Sequence, residues 1–77
     1  MNNTRRKKLT ILQEQIEEIM SALDDLREEE ETAMYNLPES LLDSDRGNAM
    51  QDAVNAIEDA ISALEEASDS ITEAKGE

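Results

Sequence analysis

Ala53-Val54-Asn55-Ala56-Ile57-Glu58-Asp59, Ala60-Ile61-Ser62-Ala63-Leu64-Glu65-Glu66 and Ala67-Ser68-Asp69-Ser70-Ile71-Thr72-Glu73 are three consecutive groups of seven, and Ala74 starts a fourth. With Val54, Ile61 and Ser68 at heptad position a, and Met50, Ile57, Leu64 and Ile71 at d, the stretch predicts a helix with a coiled-coil seam. A period of seven, shorter than two ideal turns, implies left-handed pairing with another helix. Alanine recurs at every g, beside the seam.

Toward the N-terminus the same spacing returns. Leu9, Leu12, Ile16, Ile19, Leu23 and Leu26 alternate three and four residues apart, which puts Leu9, Ile16 and Leu23 at a and Leu12, Ile19 and Leu26 at d. Glu30, Ala33 and Leu37 continue the register, so this seam is expected to weaken toward the connection. The strong helix breakers inside the chain are Pro38 and Gly47. In an antiparallel pair each a layer meets a d layer, and one rule satisfies both seams. Residues whose numbers sum to 80 pair as Leu9 with Ile71, Ile16 with Leu64, Ile19 with Ile61, Leu23 with Ile57, Leu26 with Val54 and Glu30 with Met50. The expected fold is therefore all-α: a single antiparallel two-helix hairpin, coiled-coil-like, with helix one about 5–37, a connection about 38–44 and helix two about 45–74.

The connection Asn36-Leu37-Pro38-Glu39-Ser40-Leu41-Leu42-Asp43-Ser44-Asp45-Arg46-Gly47 has its own logic. Pro38 disfavours helix at Leu37 and suits the first position of a short turn, with Leu41 and Leu42 closing the open end of the core. Ser44 or Asp43 is placed to cap helix two, and Asp45 suits its first turn. A basic start at Arg5-Arg6-Lys7-Lys8-Leu9, a central Asn36-Leu37-Pro38-Glu39-Ser40-Leu41 and the Arg46-Gly47 that follows resemble a group of small acidic uncharacterised helical-hairpin proteins of Gram-positive bacteria and their phages and mobile elements. The resemblance implies a helical hairpin and no assigned activity.

Composition excludes several classes. The 77 residues hold 20 Asp and Glu against 7 Lys and Arg, a net charge of −13, with no His and no Cys. A zinc site, a disulfide framework, a Cys nucleophile and a His general base need residues this chain lacks. No enzyme activity and no cofactor is expected. Direct nucleic-acid binding is disfavoured, because Arg5, Arg6, Lys7 and Lys8 supply +4 while the remainder, 20 negative and 3 positive charges, carries −17 and repels phosphate. The apolar run after the basic start, Leu9-Thr10-Ile11-Leu12, is too short for a signal peptide, and nothing approaches a membrane span. The expected location is cytoplasmic, and the Asn2-Asn3-Thr4 sequon is read as accidental.

Four features remain as candidate sites. Asp43, Asp45, Gly47 and Asn48 suggest a calcium loop, but counting from Asp43 puts Asn48 sixth and Val54 twelfth, where such a loop needs glycine and glutamate. Capping explains these residues instead. The basic cluster would lie beside the end of helix two, near Asp69, Glu73 and Glu77, where charge pairing is favoured over phosphate or partner binding. Asp52, Glu58, Asp59, Glu65, Glu66 and Glu73, at e and f, form an acidic ridge, joined by Glu28 to Glu31 on helix one. The ridge would solubilise the helix, yet so large an imbalance repels itself. It suits occupation of a basic nucleic-acid groove, with Asp59, Glu65, Glu66 and Glu73 as the partner-binding candidates.

Alanine carries the interface argument. Ala53, Ala60 and Ala67 at g, with Ala56 and Ala63 at c, widen the apolar arc of helix two to about 160°, more than one helix covers. Met20 and Met34, at e on helix one, could flank the same face. These residues predict self-association as a homodimeric four-helix bundle. The expected function is a non-enzymatic binding protein of phage or mobile-element type that acts as an acidic nucleic-acid mimic or inhibitor on a protein partner, for example a nucleic-acid-binding enzyme. The alternative is a structural coiled-coil assembly module whose acidic surface serves only solubility.

Overall fold

The computed structural model describes residues 1–76. Helix α1 runs Asn3–Tyr35, a short α2 spans Glu39–Leu42, and α3 runs Asp45–Lys75. α1 and α3 pack against each other along their length, and α2 packs on α3. Side-chain hydrogen bonds across the pair fix its direction. Arg6 Nε donates to Lys75 O at 3.0 Å and Gln13 Nε2 to Ser68 O at 2.9 Å, so rising numbers on α1 meet falling numbers on α3. This is an antiparallel helical hairpin.

Local chemistry sets the helix ends. Asn2 Oδ1 accepts from Arg5 N at 2.9 Å, satisfying one of the orphan donors of the first turn. That cap starts α1 at Asn3, ahead of the expected residue 5. α1 stops before Pro38, with Leu37 N donating to Met34 O at 3.1 Å. Within the connection, Glu39–Leu42 closes one helical turn on Pro38, where Leu41 N donates to Pro38 O at 2.8 Å. Between the two caps foreseen for α3, the structure selects Ser44. Its backbone is extended, its Oγ accepts from Gly47 N, and it donates to Leu41 O. Asp43 caps α2 instead.

The α3 seam matches the heptad reading: Met50, Ile57, Ile61, Leu64, Ser68 and Ile71 are half-buried and Val54 is 2% exposed. The α1 seam does not. Leu9, Ile16 and Leu23 at a are half-buried, but Leu12, Ile19 and Leu26 at d are 48%, 50% and 53% exposed. The second row facing α3 is e: Arg6, Gln13, Met20 and Arg27 are half-buried and Met34 is 7% exposed. α1 is therefore turned about its axis by roughly 50° from the a/d orientation, the angle between the a/d and a/e bisectors of a heptad.

The alanines at g of α3 supply the reason. They extend the α3 apolar arc to one side, and α1 settles over the whole a, d and g surface, leaving Ala53, Ala60 and Ala74 half-buried. Small side chains leave room beside the seam, and the long side chains at e of α1 fill it. Four of the expected pairs, Leu9 with Ile71, Ile16 with Leu64, Leu23 with Ile57 and Glu30 with Met50, keep both members inward-facing. Ile19 with Ile61 and Leu26 with Val54 do not. Both interhelical side-chain bonds to α3 carbonyls, Arg6 to Lys75 and Gln13 to Ser68, join residues that sum to 81, the register of e against a.

The expectation that the seam weakens near the connection is also corrected. The most buried apolar side chains, Met34 and Val54, lie in the half nearest the connection, as does the buried Gly47. α2 adds a third wall there, with Leu37 and Leu42 half-buried around it.

Candidate functional site

Along the outer side of α3, Asp52, Glu58, Asp59, Glu65, Glu66 and Glu73 are all exposed. They span 22 residues, about 30 Å of helix axis at 1.5 Å per residue. Positions e and f lie away from α1, so the same periodicity that makes the seam keeps these carboxylates in water. Asp59, Glu65, Glu66 and Glu73 thus share one continuous surface. Among the described residues, Arg27 forms its ion pairs with Asp24, Glu28 and Glu31 on α1 and with none of these ridge carboxylates.

On α1 the acidic residues behave differently. Arg27 reaches Asp24 at 3.0 Å, Glu31 at 2.6 Å and Glu28 at 3.7 Å. The Asp24 hydrogen bond, together with the charges of Asp24, Glu31 and Glu28, holds the guanidinium above its ordinary range against a smaller loss from desolvation. One cation is shared by three carboxylates, which gathers them on one side of the helix. Asp25, Glu28, Glu29 and Thr32 line a shallow acidic depression beside them. Among the described residues no group of three or more carboxylates is placed to hold a metal ion.

The basic cluster sits at the opposite end. Arg6 caps the last turn of α3 through Lys75 O, and Lys75 Nζ donates to Thr10 Oγ1 at 3.2 Å. Cations beside a helix C-terminus meet the negative end of its dipole, so the unfavourable position of Arg6 at the α1 N-terminus is offset by its neighbour. The charge pairing expected with Asp69 and Glu73 is not among the ion pairs of the described residues, and Glu77 lies outside them. Among the partners of Arg6 are the Lys75 backbone carbonyl and Asn3 Oδ1, and a bond to a carbonyl is something periodicity alone does not disclose. Asn3, Arg6, Lys7, Thr10 and Ile11 line an open groove at this end.

The self-association residues divide. Ala56, Ala63 and Ala67 are exposed, Ala53 and Ala60 are half-covered, and Met20 lies half-buried in the a/e seam. Met34, expected to flank an outer interface, is buried inside the hairpin. The open apolar surface that the sequence reading missed is on α1, where Ile11, Leu12, Ile19 and Leu26 are each about half exposed. Its signal was present in the sequence as d residues assigned to the wrong partner. No helix among the described residues is long and apolar enough to cross a membrane. In comparison with known proteins, no family model matches the chain, and no curated protein or solved structure matches it.

Proposed function

We propose that this chain is a non-enzymatic binding protein of phage or mobile-element type that occupies a basic surface of a protein partner, as an acidic mimic of nucleic acid, and that it acts in the cytoplasm as a homodimer. The exposed ridge of carboxylates from Asp52 to Glu73 carries this reading. A rigid row of carboxylates presents to a basic groove the sequence-independent charge by which such grooves hold a phosphate backbone. The hairpin adds stiffness, so little ordering is needed on binding.

A second reading, an assembly module whose charge serves only solubility, is supported by the exposed Leu12, Ile19 and Leu26. The two separate experimentally. Affinity capture from the native host, followed by mass spectrometry, should recover a nucleic-acid-binding protein, and DNA should compete for it. Changing Asp59, Glu65, Glu66 and Glu73 to Asn or Gln should abolish that binding while helicity and self-association persist. Affinity of the wild type should fall steeply with salt, which screens charges over about 10 Å at 0.1 M. Affinity retained by the neutralised variant, with little salt dependence, sinks mimicry and favours the assembly module.

A further inference from the structure

We infer that α1 carries the dimer interface through Leu12, Ile19 and Leu26, and that two copies lie antiparallel with the two-fold axis at Ile19. This rests on the homodimer reading and assigns its surface to α1 in place of the alanines of α3. Three observations lead to it.

The first is area. The chain exposes 5559 Å², whereas a compact monomer of 8.6 kDa exposes about 4,700 Å². The excess, about 900 Å², follows from the elongated hairpin, and a standard interface buries about 800 Å² per partner. Side-by-side pairing of two hairpins removes area of that size.

The second is the pattern of the open surface. Leu12, Ile19 and Leu26 are 48%, 50% and 53% exposed and recur every seven residues along one line of the helix. Ala22 at g, also exposed, broadens the strip without obstructing close approach. The three large residues are symmetric about Ile19, so a two-fold axis there sets Leu12 of one copy beside Leu26 of the other. An isologous interface requires this self-complementarity.

Charge selects the direction. Arg5 and Lys8, at d and g, share the strip's face at one end, while Asp25 and Glu29, at c and g, flank it at the other; all four are exposed. An antiparallel copy brings Lys8 level with Glu29 and Glu30 of its mate. A parallel copy would set Lys8 against Lys8 and Glu29 against Glu29, at a cost in repulsion.

Cysteine crosslinking and sedimentation equilibrium test this, the chain having no cysteine of its own. Leu12→Cys mixed with Leu26→Cys should form a disulfide between copies much faster than either variant alone. Homodisulfides of Leu12→Cys forming as fast would overturn the antiparallel arrangement. Ile19→Glu, at a half-exposed position, should keep wild-type helicity and weaken dimerisation at least about tenfold, two copies of the charge entering one interface. A dimer indifferent to Ile19→Glu but lost in Ala60→Glu with Ala67→Glu would overturn this surface and leave the homodimer standing. A wild-type chain that stays monomeric to about 100 μM, well above common interface affinities, would remove both.

Discussion

Gly47 shows how one residue can be decided by its surroundings. A Cβ placed on it would clash with Leu42 O and lie 2.7 Å from Leu41 O, both backbone atoms that move only with the α2 turn. Alanine ordinarily stabilises a helix over glycine by about 1 kcal/mol, so the sign of the substitution is diagnostic. Gly47→Ala is expected to destabilise the hairpin by about 2 kcal/mol or more, read as a fall in thermal midpoint; a rise would show that α2 is not packed on the start of α3. Ser44→Ala removes the α3 cap and its bond to Leu41 O, and a loss of about 1 kcal/mol is expected in a denaturant titration. The cap was among the two foreseen from the sequence, because serine before an acidic first turn is a local signal. The clash at Gly47 was not, because the carbonyls it meets belong to α2, a turn that no hydrophobic periodicity marks. Arg27 was hidden in the same way, as a polar residue at e whose aliphatic stem follows the seam while its head stays with Asp24, Glu28 and Glu31.

At the scale of the helices, both heptad repeats were legible and the rotation of α1 was not. A repeat fixes which residues share a line on a helix, but α1 has apolar lines at a and d and long side chains at e, so the repeat alone leaves its rotation about its axis open. The alanines of α3 tip the choice toward a and e. Cysteine pairs discriminate the two. Leu23→Cys with Ile57→Cys, both half-buried and paired by the sum of 80, should close a rapid intrachain disulfide. Ile19→Cys with Ile61→Cys satisfies the same sum of 80 but should close slowly, because Ile19 faces away. Equal rates for the two pairs would restore the a/d orientation and remove the exposed strip on which the α1 interface depends.

The whole molecule is long, thin and strongly charged. Its extents are 59 × 15 × 11 Å and its Cα radius of gyration is 17.5 Å, against about 11.5 Å for a globular domain of this length. With a net charge of −13, repulsion opposes the folded state. Raising NaCl from about 0.01 to 0.5 M shortens the screening length from about 30 Å to only a few Å. At constant chain concentration the thermal midpoint should therefore rise, by roughly 4–8 °C for each kcal/mol of repulsion removed. A flat or falling midpoint would mean that local ion pairs such as those of Arg27 outweigh the net charge. Read alone, the sequence determined the hairpin, its antiparallel direction and the exposure of the acidic ridge, since each follows from a period of seven interrupted once, around Pro38. Only the tertiary structure decided which line of α1 meets α3, where the core is deepest and which apolar surface stays open, because those depend on side-chain volumes across the seam and on the α2 turn closing over one end.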